Sequence, residues 1–217
     1  MLATLLAEDS PAAKAALRRW GAGLEDARRH SRLGRALLRG MLDEATGVAA
    51  EAWRIVTEPS GRPVAVDGFG NPGPSVSLSH SGGWVTAAVS PLASTGISIG
   101  IDVEAHRRAR DFEGIARMAF GAAECIRAGA GQTEFYRVWT LREAMAKAMG
   151  DGIARVADRR DRAAEGPATG AWVVETEGAP WLLFHSLPHP GLSLALAARG
   201  WSGTAVEPVW WRPPREG

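Results

Sequence analysis

The sequence predicts an α+β protein built as two comparable lobes. Three observations carry that prediction. A helical period near the N-terminus leads into short β-rich runs, a second series of strand, helices and strands follows it, and 46% of the 217 residues are hydrophobic, enough to bury a sizeable core. The lobe boundary falls near Ser94 to Gly96, giving an N-terminal lobe over residues 1–95 and a C-terminal lobe over 96–217. No sequence repeat links the halves, so their likeness is one of element order.

The opening stretch MLATLLAEDSPAAKAALRRW reaches acids and Pro11 too soon for a signal peptide. No later run approaches the length of a membrane span, so a soluble, cytoplasmic protein is expected. From Leu24 to Ala45, the spacing of Leu33, Ala36, Leu37, Leu38 and Met41 predicts a helix. Its opposite side carries a stripe of Arg28, Arg32, Arg35 and Arg39. EAWRIVTEP and RPVAVD, joined by Pro-Ser-Gly, read as a hairpin. After a Gly/Pro loop, strands are expected at Val76–Ser79 and Trp84–Val89 around a glycine-containing turn.

GISIGIDVE follows, and a period of two puts Ile97, Ile99, Ile101 and Val103 on one face. Ser98, Gly100, Asp102 and Glu104 share the other. A helix is predicted over Phe112–Ala128, and a second over QTEFYRVWTLREAMAKAMG, stopped by Gly150. RVADRRDRAAEGPATG reads as a charged connector. AWVVETE, PWLLFHS and LSLALAA read as three strands, with PVWWRPPREG as a tail.

Charge excludes some functions. With 25 basic against 24 acidic residues the formal charge is +1, so no global field favours nucleic acid or an anionic membrane. A single cysteine, Cys125, rules out an internal disulfide framework and a cysteine-based zinc site and fits a reducing compartment. The Gly68, Gly70, Gly73 match to a dinucleotide-binding pattern is set aside, because Pro72 and Pro74 lead into an extended segment instead of a helix. Ser79, His80 and Ser81 lack a nucleophile elbow and a third partner, which argues against a serine hydrolase. Their turn offers hydroxyls and N–H groups to a phosphate, or is a plain hairpin turn. His30, His106, His185 and His189 show no metal-ligand spacing.

Asp102 and Glu104 are the sharper signal. Co-facial carboxylates repel unless a cation or water neutralises them, so this strand end is either solvated or a hard-oxygen site of the kind that takes Mg²⁺. Glu143 and Lys147 stand four apart, the spacing of a helix-surface ion pair, with Trp139 one turn earlier on the same face. If that helix packs beside the Asp102 strand, Glu143 can join a metal site or act as a base while Lys147 meets a phosphate.

Taken in order, SLSHSGG, GIDVE and FYRVWTLREAMAKAMG resemble the signature set of the Sfp-type 4′-phosphopantetheinyl transferases. The resemblance runs from the N-terminal arginine helix to the end of the Lys147 helix. It implies the 4′-phosphopantetheinyl transferase fold: a monomer whose two similar lobes are related by a pseudo-twofold axis and hold coenzyme A and Mg²⁺, or Mn²⁺ in its place, in the cleft between them. Carried over by motif, Asp102, Glu104 and Glu143 would bind the metal and Lys147 would contact phosphate. Ser79 and His80 would touch the coenzyme A phosphates, with His80 near the 3′-phosphate. Arg39 would grip the same group, and Arg62 stands where a lysine is common. Arg142 also replaces a usual lysine, in the Trp-x-x-Lys-Glu-Ala pattern.

The activity implied is transfer of 4′-phosphopantetheine from coenzyme A to a serine of an apo acyl or peptidyl carrier protein. Adenosine 3′,5′-bisphosphate would leave, with Glu143 and Lys147 as the catalytic pair. Two alternatives are a noncatalytic coenzyme A or carrier-protein binding module and a Mg²⁺-dependent hydrolase of the coenzyme A diphosphate. Arg107, Arg108 and Arg110 are candidates for carrier docking, or a solvated turn.

Overall fold

The computed structural model describes residues 1–7, 10–20, 29–90, 96–107, 111–150, 162–175, 178–201 and 209–210. In chain order the elements are β1 (Leu2–Ala7), α1 (Pro11–Trp20), α2 (Arg29–Thr46), β2 (Arg54–Thr57), β3 (Pro63–Val66), β4 (Val76–Ser81), β5 (Trp84–Val89) and β6 (Ser98–Ala105). They continue as α3 (Phe112–Ala119), α4 (Ala122–Ala128), α5 (Gln132–Met149), β7 (Gly170–Val174), β8 (Trp181–His189), β9 (Leu192–Arg199) and β10 (Val209–Trp210). One compact unit comprises Met1–Ile97 with β10; the other lies within Ser98–Glu207. Arg28, Arg108, Arg110, the first residues of the predicted N-terminal helix and most of the C-terminal tail lie outside the described residues.

The first unit is a sheet in the order β10-β1-β5-β4, with the β2–β3 hairpin beside it. Helix α2 buries Leu33, Ala36, Leu37, Leu38, Met41 and Leu42, the apolar face its spacing predicts, against Val76, Val85, Ala87 and Val89 of the sheet. Strands β4 and β5 are joined through Gly82 and Gly83, both at positive φ (57° and 82°), as the right-handed twist of a two-residue hairpin requires. The discounted glycine pattern is a turn organised by Asp67, whose Oδ1 accepts from the Phe69 and Asn71 amides at 2.9 and 2.8 Å. No local pattern announces an element at the N-terminus, yet Leu2–Ala7 form β1 and Pro11–Trp20 form α1. The partner of β1 is β5, from Leu2 opposite Val89 to Ala7 opposite Trp84, a pairing that nothing local announces. Pro11 opens α1, and the Ser10 hydroxyl accepts the Ala13 amide at 3.1 Å.

The second unit is an antiparallel sheet in the order β6-β9-β8-β7. Helix α5 packs its Val138, Leu141, Ala144, Met145 and Ala148 onto Leu183, Ala195 and Ala197. Gly150, at φ 72°, returns its amide to the Ala146 and Lys147 carbonyls and ends the helix. The segment expected to be helical over Phe112–Ala128 holds two helices, α3 and α4. Phe120 is extended (φ −110°, ψ 152°), Asp111 caps α3 through the Gly114 amide, and the Glu124 carboxylate accepts the Gly121 amide at 2.9 Å to start α4.

The charged connector is also packed over its described part. Arg137 of α5, wholly buried, donates to the carbonyls of Ala163 (2.7 Å), Glu165 (2.5 Å), Gly166 (3.4 Å) and Pro167 (3.1 Å). Burial pushes its guanidinium down to about 10, still charged at neutral pH.

Candidate active site

The placement of the acidic residues begins at Gly100. A Cβ there would overlap the Ala144 carbonyl and the Ala148 amide, so α5 lies with its backbone against β6 at that point, in room that only a glycine leaves. Ala144 and Ala148, both fully buried, supply the matching small face of the helix. One residue before each alanine, Glu143 and Lys147 come alongside the strand. The alternation read from the sequence holds: Asp102 lies opposite Ala195 on β9, on the face that α5 covers.

Asp102 is 4% exposed. Burying an ionised carboxylate is costly without a partner, and the partner is on α5: Lys147 Nζ donates to Asp102 Oδ1 at 2.7 Å and to the Ile101 carbonyl at 3.2 Å. The solvated strand end is thereby set aside for Asp102. So is the surface pair of Glu143 with Lys147, because the ammonium is spent across the helix–strand contact. Glu143 is half-buried, and its carboxyl is raised above the usual value. Burial is the largest cause, then repulsion from Asp102; Lys147 pulls it back, and Glu104 adds a further upward push. Three carboxylates and one ammonium therefore share one electrostatic environment.

These donors are hard oxygens, the chemistry that Mg²⁺ prefers, and the mutual repulsion felt at Glu143 is what a divalent cation would relieve. In donor chemistry alone, Asp102, Glu104 and Glu143 suit the ion. Among the described residues, however, no three His, Cys, Asp or Glu side chains already converge closely enough to hold a metal, and the cation beside Asp102 is Lys147.

Arg142, next to Glu143, points the other way. It is wholly buried and its Nη1 donates to Glu124 Oε2 at 2.5 Å, both side chains being 1% exposed, with the Phe120 ring 5.9 Å from its guanidinium carbon. It locks the start of α4 to α5. In the sequence Arg142 stands out only as an exchange for lysine, and the one signal of Glu124 is its place three residues after Gly121, the glycine that starts α4. Trp139 packs against Phe120 and Phe135, with ring centroids 6.3 Å apart in each pair.

Of the remaining predicted residues, Ser79, His80, Arg39 and Arg62 lie in the first unit and Arg107 in the second. Ser79 is buried on β4 and His80 exposed, as neighbouring strand positions should be. The His80 ring stacks on His30, from the first turn of α2, at 4.6 Å and 14°. Arg39 is half-buried on α2. Arg62 Nη2 donates to Ser75 Oγ at 3.2 Å, just before β4. Arg107 is exposed, and its backbone amide donates to the Tyr136 hydroxyl at 2.9 Å. His185 is buried and held neutral, pushed down to about 4 chiefly by burial, with Nδ1 donating to the Ala168 carbonyl at 2.6 Å.

Comparison with known proteins gives two findings. The sequence model of the 4′-phosphopantetheinyl transferase superfamily matches residues 98–197, the span that carries β6 and α5. The chain is also 30% identical over 190 residues to the 4′-phosphopantetheinyl transferase HetI of Nostoc sp. (strain PCC 7120), covering 85% of this chain and 75% of that protein. No helix among the described residues is long and apolar enough to cross a membrane.

Proposed function

Because the chain belongs to the 4′-phosphopantetheinyl transferase superfamily, we propose that it transfers 4′-phosphopantetheine from coenzyme A to a serine of an apo acyl or peptidyl carrier protein. The observation that carries this reading is the β6–α5 constellation, in which buried Asp102 is paired to Lys147 beside a Glu143 of raised pKa. The serine oxygen forms a bond to the β-phosphorus of coenzyme A as the bridging P–O bond to the α-phosphate breaks. Adenosine 3′,5′-bisphosphate leaves.

Glu143 takes the proton of the serine hydroxyl, directly or through a water. Lys147 places its ammonium on a phosphate oxygen and offsets charge as the leaving group departs. Asp102, Glu104 and Glu143 would hold Mg²⁺ or Mn²⁺, which when bound supplies positive charge to the diphosphate. Ser79 and His80 on β4 contact coenzyme A phosphates, and Arg39 and Arg62 add positive charge there, with His80 and Arg39 directed to the 3′-phosphate. The enzyme acts as a monomer in the cytoplasm.

Intact-mass measurement of apo carrier proteins incubated with enzyme, coenzyme A and Mg²⁺ tests the reading. A gain of one phosphopantetheinyl group, absent with EDTA or without enzyme, is expected. No gain on any carrier, together with measurable coenzyme A binding, would replace transfer by the noncatalytic binding module.

A further inference from the structure

We propose that Lys147 is the resident counter-cation of Asp102 and that it surrenders this carboxylate on arrival of the divalent cation, freeing its ammonium for a phosphate of coenzyme A. The inference deepens the transferase reading and rests on it for the identity of that phosphate. It makes one lysine serve two anions in turn.

The exchange follows from where the charges sit. Asp102 is nearly sealed from water, whereas the Lys147 side chain is 31% exposed. A buried carboxylate keeps a cation beside it at all times, but the ammonium, on a four-carbon stem with rotatable donors, can swing away without disturbing α5. Its two bonds, to Asp102 Oδ1 at 2.7 Å and the Ile101 carbonyl at 3.2 Å, hold it only while Asp102 needs it. A dication supplies more charge, and like charges seated on one small carboxylate repel.

Metal binding without coenzyme A therefore carries the cost of sending Lys147 into water. With coenzyme A present the ammonium gains a phosphate instead, so the two ligands favour each other, and the coupling is reciprocal. Lys147 is thus the residue through which metal and substrate sense one another.

The chain has two lysines, Lys14 and Lys147, and Lys14 lies exposed on α1. Lysine labelled with ¹³C at Cε and ¹⁵N at Nζ gives one signal for each, with Lys14 as internal standard. Titration of the wild-type protein with Mg²⁺ alone should move the Lys147 signal toward that of Lys14 and leave Lys14 in place. A Lys147 signal that stays fixed while calorimetry shows the metal site filled would overturn the exchange, because Asp102 would then serve both cations through its two oxygens.

In Lys147→Met, calorimetry should give Mg²⁺ binding about tenfold tighter than in wild type, the factor that about 1.4 kcal/mol provides. Coenzyme A should no longer tighten it. Unchanged or weaker Mg²⁺ binding in that variant would also refute the proposal, and the wild-type titration decides if the variant does not fold. Neither readout uses carrier protein, so an enzyme that fails to modify carriers but shows the exchange would lose the transferase reading alone.

Discussion

Gly100→Ala tests whether the contact of α5 with β6 builds the site. The added methyl meets the Ala144 carbonyl and the Ala148 amide, which are helix backbone and cannot rotate aside as a side-chain tip would. Overpacking of this kind costs ~1–3 kcal/mol, and backbone obstruction puts this position at the upper end. Alanine recovers about 0.5–1 kcal/mol by restricting the unfolded chain, leaving a net loss of ~2 kcal/mol. At ~2–4 °C per kcal/mol for a chain of this size, thermal denaturation should show a fall in Tm of roughly 4–8 °C. Turnover should fall further than stability explains. A displacement of about 1 Å at reacting groups can cost ~100-fold, and here Glu143 and Lys147 ride on the helix that must move away from Asp102. An alanine variant with wild-type Tm and wild-type turnover would refute the claim that Gly100 sets the helix–strand distance.

Three further outcomes are expected. Glu143→Gln should abolish transfer yet stabilise the metal-free protein. The native state binds this proton more tightly than the unfolded chain does, so the Glu143 contribution to stability is present below the ordinary glutamate value and lost as pH rises through the raised one. The Tm advantage of the variant should therefore grow with pH across that window, and a constant difference would contradict the shift. Arg142→Met leaves Glu124 buried without its cation and should cost ~3–5 kcal/mol in denaturant unfolding; the double variant Arg142→Met/Glu124→Leu should regain most of it, and a merely additive loss would refute the pairing. His80→Ala should raise KM for coenzyme A about tenfold or more, as loss of a hydrogen bond to a charged group does. It should barely alter KM for 3′-dephospho-coenzyme A, and equal losses for both would remove His80 from the 3′-phosphate.

The elements most legible in the sequence were those whose pattern is local. The apolar face of α2, the glycine turn of β4–β5, the alternation along β6 and the stop at Gly150 all depend on residues a few positions apart. β1 was invisible because its pairing partner lies more than 75 positions away, and the α3–α4 break because Phe120 and Gly121 leave the helical path only with Glu124 folded back to receive the Gly121 amide. In the candidate site, the carboxylates at 102, 104 and 143 and the ammonium at 147 showed in the sequence. Their pairing did not: the spacing of Glu143 and Lys147 suggests a bond along the helix, whereas packing of α5 at Gly100 gives Lys147 to Asp102. The buried Arg137 was hidden for a similar reason, since an arginine on a helix reads as solvated until the carbonyls of residues 163–167 are folded over it.

The central claim is that coenzyme A is cleaved by a carrier serine. The most direct measurement quantifies adenosine 3′,5′-bisphosphate and holo carrier in the same reaction, beside a reaction without carrier and one with the carrier serine changed to alanine. Equal amounts of the two products, with neither formed in the controls, are the predicted result. Bisphosphate released at an undiminished rate without a carrier serine would contradict it and make the enzyme a hydrolase of the coenzyme A diphosphate.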